Sequence, residues 1–146
     1  MDIREIKPED IKRVFEIEFS SFNAPYDPLI LNYLYEVHRK TFLVAYENDV
    51  IGYIIGIIDR LEGHIISLAV DEDFRRKKVG TLLVKRLLEI FKEKGVNKVK
   101  LEVRKRNTKA QKLYKKLGFF EAKELPRYYE NGEDGILMMK YLEGKV

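Results

Sequence analysis

A change of hydrophobic period in the middle of the chain constrains the fold more than any other feature. His64 to Val70 is a short apolar run bounded by turn residues, which predicts a strand. Apolar residues then recur at helical spacing (Val79, Leu82, Leu83, Leu87, Ile90 and Phe91), and Gly95 predicts the end of that helix. Lys98 to Arg104 predicts a second strand. A β-α-β unit of this kind joins two parallel strands through a right-handed crossover.

The segments before this unit predict a short strand, two helices and two further strands. Pro8 suits a first helical turn, and Asp27 predicts the cap of the second helix, with Pro28 at its first position. Asn23 to Tyr26 breaks the chain between the helices, and Leu61 to Gly63 is expected to be a turn. The expected ranges are strand 3–6, a helix to about Ser21, a helix from Pro28 through His38, and strands 41–47 and 50–60.

The segments after the unit predict a helix over 107–117 and strands over 119–125 and 135–141. The expected fold is therefore α/β, with one mixed sheet of about seven strands and four helices on both of its faces. A chain of 146 residues predicts a single domain over 1–146.

Composition excludes several classes of protein. The chain has no cysteine, which excludes disulfides and thiolate metal sites, and His38 and His64 match no metal-binding spacing. No apolar run reaches about 18 residues, and the N-terminus does not resemble a signal peptide, so we expect a cytoplasmic protein without a membrane partner.

A cluster of basic residues at a β-α junction predicts an anion site. Arg75, Arg76, Lys77 and Lys78 precede the helix that begins near Val79, and the first N–H groups of a helix attract phosphate. Gly80 lets a ligand approach the backbone closely. The segment matches neither GxxxxGK[ST] nor GxGxxG, so a pyrophosphate ligand is expected outside the P-loop and dinucleotide-binding folds.

A second cluster lies on the helix that follows the parallel strands. It reads Asn107, Ala110, Leu113, Tyr114, Gly118 and Phe119, with Tyr114 on the apolar face of the helix. A buried phenol needs a hydrogen-bond partner. Tyr114 is therefore either a core tyrosine with its tip at the surface or a group that takes part in chemistry.

Together these two clusters resemble the GNAT superfamily of acetyl-CoA-dependent N-acetyltransferases. That family carries Arg/Gln-x-x-Gly-x-Gly/Ala at the β-α junction, where this chain has Arg75 to Gly80 with Lys78 in place of the first glycine. The segments Leu101 to Arg104 and Tyr128 to Met138 resemble more narrowly the protein N-terminal acetyltransferases, which include the ribosomal-protein alanine acetyltransferases and archaeal relatives. The resemblance implies a sheet splayed between its fourth and fifth strands.

The resemblance also implies how acetyl-CoA is held. The backbone of Leu68, Ala69 and Val70 would pair with the pantetheine arm, and the Val70 N–H would stabilise charge on the thioester oxygen. Asn107 would hydrogen-bond the same arm. The pyrophosphate would lie against the basic turn and the helix start, formed by Arg75, Arg76, Lys77, Lys78, Val79, Gly80 and Thr81. No metal is implied.

For the acceptor, the resemblance implies that Glu102 is the general base and contacts the substrate, with a surface-facing glutamate as the alternative. Tyr114 would bind beside the CoA arm and donate a proton to the departing thiolate. Tyr26, Tyr128 and Tyr129 would hold the substrate backbone, with core packing or loop anchoring of each as the alternative. Glu133 and Asp134 are expected to fix their loop, and His64 to be structural.

Lys78 departs from the family pattern. If the family glycine is needed for a positive φ, lysine strains the turn; if it is needed only for close approach, lysine points outward and keeps its N–H on the phosphate. We expect the second.

Three functions compete at this point. The first is transfer of acetyl to the N-terminal α-amine of a protein, for which a ribosomal protein is one candidate. The enzyme would act as a monomer or homodimer. The second is acetylation of a small amine or polyamine. The third is a basic nucleic-acid-binding module, although no aromatic-stacking or helix-turn-helix signature supports it, and no DNA partner is expected.

Overall fold

A computed structural model describes residues 1–75 and 77–143. Its helices are α1 (Ile11–Ser21), α2 (Pro28–His38), α3 (Val79–Glu93) and α4 (Thr108–Lys116). Its strands are β1 (Asp2–Glu5), β2 (Phe42–Tyr46), β3 (Val50–Asp59), β4 (Glu62–Val70), β5 (Lys98–Arg104), β6 (Phe120–Leu125) and β7 (Gly135–Tyr141). No helix within these ranges is long and apolar enough to cross a membrane. Arg76, expected to bind the cofactor, lies outside the described residues.

The strands form one seven-stranded mixed sheet in the order β1-β2-β3-β4-β5-β7-β6. Strand β4 pairs with β5 in parallel, and the other described pairs are antiparallel. Helix α3 connects the two parallel strands. The predicted β-α-β unit and the predicted α/β fold class are both confirmed.

The two parallel strands separate part of the way along the sheet. Their register runs from Glu62 opposite Lys98 to His64 opposite Lys100 and stops there. Beyond that point β4 continues to Val70 beside β3, and β5 continues to Arg104 beside β7. The splay predicted between β4 and β5 is present, and it leaves one backbone edge of β4 without a neighbouring strand among the described residues.

Two apolar cores sandwich the sheet. Helix α3 buries Leu83, Leu87 and Phe91 on one face, whereas α1 and α2 bury residues such as Ile17 and Leu34 on the other. Both strands are packed against these cores, β5 through residues such as Val99 and Leu101 and β4 through Ile65 and Ala69.

The expected turn at Leu61 to Gly63 is wrong in its position. The turn is made by Arg60, with a φ of 58°, and Leu61, while Gly63 already lies inside β4. A Cβ at Gly63 would lie 2.7 Å from Cε2 of Phe91. This glycine is therefore present because the Phe91 ring packs against the strand, and not because the chain turns there.

Candidate active site

A cavity of about 550 Å³ opens where β4 and β5 separate. Its walls come from the α1–α2 connection, both parallel strands, α4 and the β6–β7 connection. The residues that line it include Glu18, Ser21, Phe22, Asn23, Ala24, Tyr26, Ile65, Ile66, Ser67, Leu68, Leu101, Glu102, Val103, Arg104, Asn107, Ala110, Tyr114, Tyr129 and Glu130. The split sheet thus brings the predicted residues Tyr26, Leu68, Glu102, Asn107, Tyr114 and Tyr129 to one cavity.

Tyr114 enters the cavity from α4. Its side chain is 5% exposed, and its ring packs edge-on against Phe119 at a centroid distance of 5.3 Å. Within the described residues its hydroxyl makes no hydrogen bond. Burial raises the pKa of this phenol well above its usual range, so the hydroxyl stays protonated at neutral pH. The arrangement leaves a protonated donor available to a ligand.

Glu102 enters the same cavity from β5 and is half-buried. Its Oε1 lies 2.7 Å from Nε2 of His64, on the neighbouring strand β4. His64 also borders a second depression, on the side of the sheet where β4 and β5 still pair. His64, expected to be structural, therefore contacts the carboxylate expected to be the base.

The β6–β7 connection supplies an aromatic wall. Tyr129 lines the cavity and packs at 5.0 Å from Tyr128, which is exposed and does not line it. The Arg104 guanidinium lies 4.1 Å above the Tyr129 ring centroid. Burial raises the pKa of Tyr129 to about 12. Both tyrosines keep their hydroxyl protons at neutral pH and remain hydrogen-bond donors.

Charged residues fix this connection in place. Glu133 Oε2 accepts a hydrogen bond of 3.0 Å from Arg104, and Asp134 Oδ1 accepts one of 2.9 Å from the Arg127 N–H. Glu130 accepts a further bond of 2.7 Å from Arg104. The expectation that Glu133 and Asp134 hold the loop agrees with these contacts.

On the opposite wall, the α1–α2 connection is tied down through Tyr26. The Tyr26 hydroxyl donates to the carbonyl of Ile66 at 3.4 Å, and its backbone N–H donates to Glu18 Oε2 at 3.1 Å. Burial, followed by the charges of Glu18 and Glu102, raises the pKa of Tyr26. Tyr26 therefore carries a structural contact as well as a place in the cavity wall.

The start of α3 lies beside β4 and α4, where the phosphate site was expected. The helix begins at Val79, and a Cβ added to Gly80 would lie 3.8 to 3.9 Å from side-chain atoms of Leu113, Leu68 and Val70. Packing within the protein therefore tolerates a side chain at Gly80. The N–H groups of the first turn of α3 fit a pyrophosphate.

The expectation for Lys78 is wrong, because its backbone is left-handed. Its φ is 61° and its ψ is 20°, a conformation that glycine adopts more easily. The chain needs this conformation because the turn must reverse into α3, where the Lys78 carbonyl accepts the Leu82 N–H at 3.1 Å. The position at which the family carries its first glycine therefore has a positive φ in this chain, where lysine occupies it.

The other basic residues of the turn are held by the protein. Arg75 Nε donates to the Val70 carbonyl at 3.1 Å, and the Lys77 ammonium lies 5.3 Å from the Phe74 ring centroid. Asn107 Oδ1 caps α4 by accepting the Ala110 N–H at 3.1 Å. Ala69 is buried against the α1–α2 core and lies opposite Tyr53 of β3.

Comparison with known proteins places this architecture in a family. A profile of the Acetyltransferase (GNAT) family matches residues 9–119. The chain belongs to this family. It is an acetyl-CoA-dependent N-acetyltransferase, as the resemblance predicted.

Three relatives resemble the chain over most of its length. An N-alpha-acetyltransferase of Sulfurisphaera tokodaii is 34% identical, covering 93% of this chain and 90% of the relative. A putative bS18-alanine N-acetyltransferase of Bacillus subtilis is 32% identical, covering 93% and 92%. The crystal structure of Ard1 from Thermoplasma volcanium superposes with a TM-score of 0.91 at 34% identity, covering 97% of each chain.

Among the cavity residues that sequence reasoning missed are two polar residues of α1. Glu18 lies on the apolar stripe of α1 with Val14, and a glutamate on such a stripe is the signal that something buried binds it. Ser21 has a buried hydroxyl without a partner in the described part of the chain. No pattern in the sequence distinguishes this serine from a surface one.

Proposed function

We propose that this enzyme transfers acetyl from acetyl-CoA to the N-terminal α-amino group of a protein. One observation carries the proposal: Glu102 and Tyr114 line the same cavity from β5 and α4. A carboxylate that accepts a proton and a phenol that donates one are the two groups that this transfer requires. The names of the relatives in Sulfurisphaera tokodaii and Bacillus subtilis support an N-terminal acceptor.

The residues present fit acetyl-CoA. The free edge of β4 offers the backbone groups of Leu68 and the Val70 N–H to an amide-rich arm, as an added strand would. The Val70 carbonyl already accepts from Arg75 Nε at 3.1 Å. The first-turn N–H groups of α3, beside Gly80, suit the pyrophosphate. Acetyl-CoA supplies an activated acetyl group, whose thioester is the electrophile.

Glu102 removes the proton that the acceptor amine must lose. An α-amino group has a pKa near 8, so part of it is neutral at physiological pH. When the amine attacks, its surplus proton passes to the Glu102 carboxylate, directly or through one water. The proton then passes from Glu102 to solvent, while His64 Nε2, 2.7 Å from Glu102 Oε1, hydrogen-bonds the carboxylate. The His64 contact orients the carboxylate toward the split.

Tyr114 completes the proton balance. The bond between the acetyl carbon and sulfur breaks with its electron pair on sulfur, and the Tyr114 hydroxyl donates to that thiolate. Because burial raises the pKa of Tyr114, the phenol gives up its proton less readily than free tyrosine does. Its hydroxyl therefore hydrogen-bonds the sulfur as charge develops there, then gives its proton to the thiolate to form the free thiol of CoA, and is reprotonated from solvent.

The charges around the cavity favour a peptide over a polyamine. Three carboxylates line it, but Glu130 is paired with Arg104 at 2.7 Å and Glu18 is saturated by neutral donors. Among the described cavity residues, Glu102, whose Oε1 contacts His64, is the carboxylate left to meet an ammonium group. A polyamine would need a second acidic contact for its distal amine, whereas Tyr26 and Tyr129 offer donors to a peptide backbone.

A peptide-library assay tests the proposal. Thiol release from acetyl-CoA is expected with peptides that have a free N-terminus and not with the same peptides blocked there. Glu102→Gln should slow the reaction by about 10²- to 10⁴-fold, and raising the pH should restore part of the rate, because more amine is then neutral without a base. Glu124→Gln, at an exposed strand glutamate, is the matched control and should leave the rate unchanged. Activity on spermidine alone would contradict the proposal.

A further inference from the structure

Glu18 is a buried carboxylate in the wall of the acceptor cavity. It is 2% exposed and projects from α1. Within the described residues no lysine, arginine or histidine lies in ion-pair distance of it. A buried charge without a counter-ion is costly unless hydrogen bonds satisfy it fully. Its retention in an otherwise apolar core therefore needs an explanation.

Three donors from three parts of the fold satisfy this carboxylate. The Tyr53 hydroxyl on β3 and the Ser67 hydroxyl on β4 both donate to Oε1, the latter at 3.1 Å. The backbone N–H of Tyr26 donates to Oε2 at 3.1 Å. Glu18 thus links the α1–α2 connection to the two strands beneath it.

We propose that Glu18 is a positioning residue for the acceptor, which fixes the segment Phe22–Tyr26 as one wall of the acceptor site. The inference rests on the proposed function, because it assigns the acceptor to that side of the cavity. Residues Phe22, Asn23, Ala24 and Tyr26 all line the cavity. Glu18 acts through this segment and need not touch the reacting atoms.

The segment has few other anchors. Residues 23–26 make no backbone-to-backbone hydrogen bond in the described part of the chain. The Tyr26 N–H bond to Glu18 and the longer Tyr26 hydroxyl bond to Ile66, at 3.4 Å, are its hydrogen-bonded anchors, beside the packing of the Tyr26 ring against the α1–α2 core. A backbone N–H can only donate, so it needs an acceptor at the position of Oε2. Removal of Glu18 releases the wall.

The test compares Glu18→Ala with Asp10→Ala. Asp10 is the matched control, because it is also a buried carboxylate (4% exposed) and accepts a hydrogen bond from a backbone N–H, that of Lys7. Unlike Glu18, it does not line the cavity. Both changes lower stability. Only Glu18→Ala should raise KM for the acceptor peptide, by about 10- to 100-fold, the size of a lost bond to a charged group. KM for acetyl-CoA should stay within about threefold.

Two further variants keep the test informative if Glu18→Ala folds poorly. Glu18→Gln should recover most of the acceptor KM, because its oxygen can accept from Tyr26 while its amide donates to the two hydroxyls, which can turn to accept. Tyr53→Phe removes a donor but leaves the Tyr26 anchor. It should lower stability and leave the acceptor KM within about threefold.

Hydrogen exchange of the Tyr26 amide separates this inference from the proposed function. Faster exchange at Tyr26 in Glu18→Ala but not in Asp10→Ala supports the anchor even if no peptide proves to be an acceptor. Unchanged exchange at Tyr26, an unchanged acceptor KM, or an equal rise of both KM values would overturn the inference.

Discussion

Tyr114→Phe should remove most of the activity and none of the stability. The change deletes one hydroxyl, which faces the cavity and makes no hydrogen bond within the described residues. Deletion of a polar atom without a protein partner costs the fold nothing and can stabilise it. The Phe119 ring, which packs edge-on at 5.3 Å, contacts the part of the side chain that phenylalanine keeps.

The rate is expected to fall by about 10²- to 10⁴-fold, which is about 2.7 to 5.5 kcal/mol of transition-state stabilisation. Because burial holds the pKa of Tyr114 far above neutrality, its hydroxyl should not introduce a break in the pH profile between about pH 6 and pH 9. Initial rates of thiol release at saturating substrates measure the first effect, and thermal unfolding without substrates measures the second.

Tyr53→Phe is the matched control, because it deletes the hydroxyl of another buried tyrosine. That hydroxyl donates to the Glu18 carboxylate, so its loss should cost about 1.5 to 3 kcal/mol of the free energy of unfolding. A rate loss of less than tenfold in Tyr114→Phe would refute its role as the donor. A stability loss equal to that of Tyr53→Phe would refute the description of its hydroxyl as unbonded.

Three further predictions concern the fold around the site. Gly63→Ala places a Cβ 2.7 Å from Phe91 and should lower the free energy of unfolding in urea by about 1 to 3 kcal/mol. Adding Phe91→Leu to the same chain makes room for the methyl group, so the double variant should lose less than the sum of the two single variants. Losses that simply add would contradict the packing argument. Lys78→Gly removes the strain of a left-handed lysine, about 1 to 2 kcal/mol, but gives the unfolded chain more conformational entropy, which lowers stability by about 0.5 to 1 kcal/mol. The free energy of unfolding in urea should therefore stay equal or rise. A loss above about 1 kcal/mol would contradict the strain. The Asp73 N–H and then Arg13 hold the pKa of Asp71 below its usual value. The ionised Asp71 therefore stabilises the fold above about pH 4, and this stabilisation is lost as the pH falls through the lower folded pKa. Asp71→Asn should make the free energy of unfolding depend less on pH in the acid range, and an unchanged dependence would contradict this.

Most of the fold follows from local patterns. The switch from strand to helical period identifies β4, α3 and β5, and the cap Asp27 places the start of α2, because each signal depends on residues close in sequence. Gly63 shows the limit of such patterns. Its reason lies in Phe91, which is 28 positions further along the chain and reaches it only in the folded state.

Site residues that belong to a family motif could be predicted from the sequence, whereas residues whose role depends on contacts between distant segments could not. Glu102 and Tyr114 were identified through the family resemblance, and both line the cavity. Glu18 was missed because its place on the apolar stripe of α1 indicates burial but does not identify its partners, Tyr53 and Ser67, which lie on β3 and β4. The positive φ of Lys78 was missed because lysine carries no sequence signal for a left-handed turn.

Direct localisation of the transferred acetyl group tests the central claim. A peptide with a free N-terminus and one internal lysine is incubated with acetyl-CoA and an equal concentration of spermidine, and tandem mass spectrometry locates the added acetyl group. We predict acetyl on the α-amine of the peptide, with the lysine and spermidine unmodified. Acetyl on spermidine or on the lysine side chain, with the α-amine free, would contradict the proposed function.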